Sequence, residues 1–243
     1  MLALSSITEV DMKKAYHIVA KRVPESVILT GDPERARLLS GFLDRKKLIN
    51  KARGLYVYKG YYKGLEVAIS VHGIGGPSTA ITLEELIRLG GKRFIRIGSA
   101  GSLREDLKPG EIVVPSGVGY FNNSSLGMYV KDFCFPASPN LDLTAGIERH
   151  LKEKGYPFVR GPIFSSDSFY AEEKYIDRLR KAGFIAIEME CSTILVLSQM
   201  RGAMSSCLLL VSNYAHKKEG IELNEKFLEM GTIALDTLIE TKN

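Results

Sequence analysis

A chain of 243 residues, 45% of them hydrophobic, is long enough to bury a sizeable core and suits one large α/β domain. Its formal net charge of +5 admits an anionic small ligand or a nucleic acid; scattered basic residues and the lack of any recognition-helix, zinc-finger or RNA-motif pattern exclude nucleic acid from the working reading. No apolar stretch reaches the length of a membrane span, and Asp11, Lys13 and Lys14 interrupt the N-terminus too early for a signal peptide, so a soluble, cytoplasmic protein without a membrane partner is expected.

No linker, repeat or composition shift divides the chain, which predicts a single domain over residues 1–243. The charged clusters Asp44-Arg45-Lys46-Lys47 and His216-Lys217-Lys218-Glu219 read as solvated surface. Cys134, Cys191 and Cys207 have no metal-ligand spacing and no disulfide pattern, so reduced structural thiols and no metal are expected.

In chain order, Ser26 to Thr30 reads as a buried strand, followed by a helix that starts at Pro33 and carries Ala36, Leu38 and Leu39. Tyr56 to Gly60 and Leu65 to Val71 flank Tyr61-Tyr62-Lys63-Gly64 as a hairpin. The loop Gly73-Ile74-Gly75-Gly76-Pro77 leads into a helix carrying Ile81, Leu83, Leu86 and Leu89; Arg93 to Ile97 is the next strand, ending in the turn Gly98-Ser99-Ala100-Gly101. Further strands are predicted at Glu111 to Val114, Pro157 to Phe164 and Ser206 to Val211. Helices are predicted at Asp142 to Lys154, Glu172 to Ala182, Glu190 to Gln199 and Leu223 to Ile239. The pattern predicts an α/β fold, a three-layer α/β/α single domain with a central mixed β-sheet flanked by helices.

Ligands in such folds sit beyond the carboxyl ends of strands. Gly31-Asp32-Pro33-Glu34-Arg35 lets backbone approach a ligand at a helix start that favours an anion, although an ordinary strand-to-helix turn looks the same. Arg96 inside an apolar strand requires a buried partner, which is either a phosphate shared with Ser99 or an internal salt bridge. The glycine loop at residues 73–76 lacks the spacing of a dinucleotide or ATP site.

Glu188 and Glu190 alternate about Met189, so in extended backbone they share one face; they suit sugar hydroxyls or serve as acids at a helix start. Ser212 and Asn213 follow an apolar strand, where an asparagine reads a base edge or makes an Asx turn. Phe169-Tyr170 offers an aromatic wall for a base or a piece of core.

Taken in order, His17-Ile18, Gly31-Asp32-Pro33-Glu34-Arg35, Ala52-Arg53-Gly54, His72 to Ser78, Arg96-Ile97-Gly98-Ser99, Ser166 to Tyr170, Glu188-Met189-Glu190 and Val211-Ser212-Asn213 resemble one family. It is the nucleoside phosphorylase family that includes hexameric purine nucleoside phosphorylases, uridine phosphorylases and archaeal methylthioadenosine phosphorylases. The resemblance implies a nucleoside and inorganic phosphate as substrates, with no cofactor. It implies a phosphate site of Gly31, Arg35, Arg96 and Ser99, completed by Arg53 from a neighbouring subunit. It further implies a ribose site of Glu188, Met189 and Glu190 with His17 from the neighbour, and a base site of Phe169, Ser212 and Asn213. Such sharing implies a homo-oligomer, commonly a hexamer built of dimers.

Arg96 and Asn213 are the expected catalytic residues. Broad-range purine members usually carry an aspartate where this chain has Asn213. An asparagine delivers no proton but donates a hydrogen bond, which favours 6-oxopurine nucleosides and keeps uridine as the alternative. Glu172, Glu173 and Lys174 stand where uridine enzymes read uracil with a glutamine and an arginine; Lys217 and Lys218 are the candidates for the place of an arginine found downstream in some purine enzymes, and neither is assigned that role. Methylthioadenosine phosphorolysis, hydrolysis by water and a catalytically silent nucleoside-binding protein are the remaining readings.

Overall fold

The computed structural model describes residues 15–217 and 223–241; Asp11, Lys13, Lys14, Lys218 and Glu219 lie outside them. The strands are β1 (Ser26–Thr30), β2 (Asp44–Asn50), β3 (Val57–Tyr62), β4 (Leu65–Val71), β5 (Arg93–Ser102), β6 (Ile112–Tyr120), β7 (Phe158–Ser165), β8 (Ala186–Glu188) and β9 (Met204–Tyr214). The helices are α1 (Pro33–Leu39), α2 (Gly76–Arg88), α3 (Leu141–Glu153), α4 (Ile176–Lys181), α5 (Cys191–Met200) and α6 (Asn224–Glu240).

One mixed sheet runs β2-β3-β4-β1-β5-β8-β7-β6-β9, with β1, β4, β5 and β9 mutually parallel. Because β9 pairs with both β6 and β5, the strands from β5 to β9 close on one another, while β2 to β4 and β1 form an open wing. Closure leaves no free edge on that side of the sheet.

Strand alternation splits the core into two layers. Val27, Leu29, Leu209 and Val211 pack with α2 and α5, whereas Ile28, Leu208 and Leu210 pack with α1, α3 and α6. Phe227, Met230, Ile233, Leu235 and Leu238 repeat at helical spacing and bury one face of α6, each such side chain contributing about 1.5–3 kcal/mol. A smaller cluster of Leu103, Phe164, Ile176, Leu179 and Ile187 seats α4 beside the cleft. No described helix is long and apolar enough to cross a membrane.

Several boundaries move. The hairpin turn shrinks to Lys63-Gly64, with φ of 47° and 83°, because both central residues of a tight turn of this hand must be left-handed; β3 therefore runs on to Tyr62. The cluster at residues 44–47 is exposed, as expected, yet it belongs to edge strand β2, where charge discourages pairing with another chain. The expected helix at residues 172–182 divides into a 3-10 turn at Glu172–Tyr175 and α4.

The turn expected at residues 98–101 is instead strand. β5 continues to Ser102 beside β9, with an irregularity after Ala100, because β9 itself runs to Tyr214 and supplies its partner groups.

Candidate active site

A cleft of about 510 Å³ opens at the carboxyl ends of β1, β4, β5, β8 and β9. Its wall includes Gly31, Arg35, Arg96, Ser99, Phe169, Glu188, Met189, Glu190, Ser212 and Asn213, so tertiary structure gathers ten separately predicted residues in one place. His17 and Arg53 do not line it. Arg53 is exposed with a left-handed φ of 54°, on the short turn Ala52–Gly54.

Two guanidiniums line the cleft. Asp32 caps α1 by accepting from the Glu34 amide at 2.8 Å, and this turn carries Arg35 inward over the Phe227 ring, 3.8 Å from its centroid. Arg35 Nη1 lies 3.5 Å from Ser99 Oγ. Burial lowers the Arg35 pKa, Asp32 opposes that effect, and the nearby positive charge of Arg96 adds to it. Two guanidiniums held within reach of each other favour a bound anion. A side chain at Gly31 would come within 2.9 Å of the Gly73 carbonyl, so the two loops meet because one of them starts with glycine.

Arg96 is 3% exposed, and the salt-bridge reading of it holds: its Nη2 donates to Glu188 Oε2 at 3.1 Å and to Glu190 Oε2. Burial alone would lower the guanidinium's pKa, but Glu190, with Cys191 and Glu188 behind it, more than offsets that and keeps Arg96 firmly charged. Arg96 folds back over Gly98, where any Cβ would collide with its guanidinium. The glycine is therefore required by the arginine's conformation rather than by a turn.

The two glutamates, predicted to share a face, do share Arg96 but differ in role. Glu188 accepts from the Ser165 hydroxyl and from the amides of Glu190 (2.8 Å) and Cys191 (2.9 Å), so it caps α5 and is committed to the protein. Glu190 accepts from the Gly75 amide at 2.6 Å through its other oxygen, which ties the glycine loop to the cleft. Met189 between them is half-buried and reaches toward Gly75.

Phe169 is 47% exposed and meets Tyr170 edge-on, so the pair is not core; Phe169 belongs to the cleft wall and Tyr170 does not. Asn213 donates both N–H groups to backbone carbonyls, of Tyr214 at 2.9 Å and Lys217 at 3.1 Å, and accepts from the Ser212 hydroxyl at 2.7 Å. Reversing the amide would set its oxygen against two carbonyls, so the orientation is fixed. Asn213 thus spends its donors holding its own loop, as the Asx-turn reading anticipated.

The sequence reading missed two groups. His216, assigned to solvated surface, lines the cleft. Glu85 is 4% exposed and collects the amides of Tyr16 (3.0 Å), His17 (2.9 Å) and Ile18 (2.7 Å) together with His17 Nδ1 (2.7 Å). A glutamate between Leu83 and Leu86 in α2 was the available signal, because a buried carboxylate must be paired.

Burial alone would raise the Glu85 pKa, but the bonds from His17 and from the Ile18, Tyr16 and His17 amides lower it overall. Its contribution to stability is therefore complete above the unfolded carboxylate pKa, about 4.3, and is lost as the pH falls through the lower folded value. Glu85→Gln is expected to cost about 1.5–3 kcal/mol at pH 7. Urea denaturation at neutral and acidic pH should show the gap from the wild type closing on acidification.

Among the described residues no cluster of three or more His, Cys, Asp or Glu side chains is arranged to hold a metal ion. A family model described as the phosphorylase superfamily matches residues 25–241. The chain belongs to the phosphorylase superfamily.

It is 33% identical over 232 residues to a DeoD-type purine nucleoside phosphorylase of Tolumonas auensis, covering 92% of this chain and 98% of that protein. It is 29% identical over 234 residues to the DeoD-type enzyme of Bacillus subtilis, covering 92% and 99% respectively. The crystal structure of a uridine phosphorylase from Vibrio fischeri superposes with a TM-score of 0.83 at 28% identity, covering 95% of this chain and 98% of that one.

Proposed function

We propose that this chain is a single-domain pentosyltransferase of the cytoplasm that uses inorganic phosphate to cleave 6-oxopurine nucleosides, inosine and guanosine, into free base and pentose 1-phosphate. The observation that carries this reading is that Arg35, Arg96 and Ser99, Met189 and Glu190, and Phe169, Ser212 and Asn213 all line one cleft. Their chemistry suits phosphate, pentose and base in turn: donors for an anion, a carboxylate for hydroxyls, and an aromatic ring for a base. The purine nucleoside phosphorylase relatives support the base class, and the uridine phosphorylase superposition keeps uridine as the second reading.

Phosphate is the co-substrate and no cofactor takes part. As the glycosidic bond stretches, the pentose becomes oxocarbenium-like; Glu190 holds its hydroxyls, and the phosphate anion both stabilises the cation and attacks the anomeric carbon. Gly31 lets the backbone close on that anion.

Arg96 pairs with both Glu188 and Glu190, and Arg35 Nε lies 3.7 Å from Asp32 Oδ2, so these two cations already face three carboxylates and a phosphate dianion needs cationic help beyond them. A second copy of the chain is the proposed source, its Arg53 completing the phosphate site and its His17 reaching the pentose. The working unit is then a dimer, which hexamers repeat.

Base release from inosine, guanosine, adenosine, methylthioadenosine and uridine, each with and without phosphate, tests the reading. Release that needs phosphate and favours inosine and guanosine is expected. Release without phosphate would mean hydrolysis, a preference for uridine would select the second reading, and no release from any substrate would leave a silent binding protein.

A further inference from the structure

A base leaving with the bonding electrons must be neutralised, and Asn213 is not placed to do it: it carries no transferable proton, and both its N–H groups are engaged by backbone. The cleft that holds Phe169 and Asn213 is also lined by Glu172, Glu173 and His216. Carboxylates there accept hydrogen bonds, whereas an imidazolium donates one and is the side-chain type suited to passing a proton near neutral pH.

The His216 ring is held from two sides. It lies 5.8 Å from the Tyr214 ring, and its Nε2 is 3.7 Å from Glu105 Oε1. Tyr214 in turn donates to the Glu105 carbonyl at 3.4 Å. The side chain is 34% exposed, so it meets both the cleft and solvent. The charged and titratable groups that face it are Glu105 on the segment after β5 and Tyr214 and Lys217 on its own segment, with Glu172 and Glu173 on the wall of the same cleft; Lys217 is drawn over the Tyr214 ring.

We propose that His216, oriented by Glu105, donates the proton that the departing base requires. This rests on the phosphorolytic reading above. The bond from the anomeric carbon to the base nitrogen breaks with its electron pair going to the base, and a phosphate oxygen forms the new bond to that carbon. The His216 imidazolium passes its proton to the base, which leaves neutral. The ester formed from hydrogen phosphate sheds its own proton, so the net reaction consumes none, and His216 is reprotonated from solvent. Glu105 acts as a positioning residue.

The test compares inosine with 7-methylguanosine, whose base already carries a positive charge and leaves neutral without a proton. In His216→Ala and His216→Gln, inosine turnover is expected to fall about 10²-fold or more, while 7-methylguanosine turnover stays within about threefold of the wild type. In the unmodified protein, kcat for inosine should fall as pH rises and the donor deprotonates, a limb missing from the 7-methylguanosine profile; this measurement stands even if a variant fails to fold.

Equal losses on both substrates, or matching alkaline limbs, would overturn the role of His216 while leaving phosphorolysis intact. No phosphate-dependent cleavage of either nucleoside by the unmodified protein would overturn the function and this role together.

Discussion

Arg96→Ala is expected to abolish phosphate-dependent turnover and to destabilise the protein by about 3–5 kcal/mol. The loss of function follows from removing one of the two guanidiniums that line the cleft. The loss of stability follows from what remains: Glu188 and Glu190, each 6% exposed, would keep their negative charges in a buried site without a cation.

The sign of the pH effect follows. Burial already raises the Glu190 pKa against the opposing charge of Arg96, so without Arg96 this carboxyl takes up a proton more readily folded than unfolded, and the variant's stability falls as pH rises and recovers on acidification, opposite to the behaviour of the Glu85 contribution. Urea denaturation of wild type and variant at pH 5 and pH 8 measures this. A pH-independent deficit would mean that the glutamates are compensated by something other than Arg96. Arg96→Lys should keep most of the stability but little of the activity, since an ammonium lacks the planar fork that serves two carboxylates and an anion.

Glu190→Gln is expected to lower kcat/KM for the nucleoside by about 10²–10³-fold with little change in melting temperature. The amide oxygen still accepts from the Gly75 amide, which keeps the glycine loop in place. The charge that faces the developing oxocarbenium is gone, and so is the acceptor that holds Arg96. Phosphate should therefore bind the substrate-free variant more tightly than the wild type, because Arg96 no longer has to leave Glu190 to meet it. Steady-state kinetics and calorimetric titration with phosphate separate the two effects. Weaker phosphate binding in Glu190→Gln would show that Glu190 positions Arg96 for the anion instead of competing for it.

The pairing of Arg96 with Glu190 also shows where sequence reasoning stopped. An arginine in an apolar strand left an internal salt bridge or a phosphate open, and two glutamates astride a methionine left sugar hydroxyls or a helix start open; the structure shows the salt bridge for the first and, for Glu188, the helix start. Both groups prove to be partners of each other, on β5 and after β8, about ninety positions apart in the chain. Glu85 gave a similar signal, a carboxylate on an apolar helix face, but its partners at residues 16–18 cannot be named from α2 alone.

What the amino-acid sequence determined by itself is local and periodic. The alternation that splits β1 and β9 between two core layers, the helical repeat of α6, and the order of the glycine, arginine and glutamate motifs beyond strand ends are properties of neighbouring residues. They suffice for the α/β class and the place of the cleft. Tertiary structure alone decided that β9 closes onto both β5 and β6, that charged β2 forms the sheet edge, that residues 98–101 continue a strand, and that His216 turns into the cleft. Each of these depends on which groups are left without a hydrogen-bond or charge partner once distant segments pack, and a requirement met across the fold leaves no period in the chain.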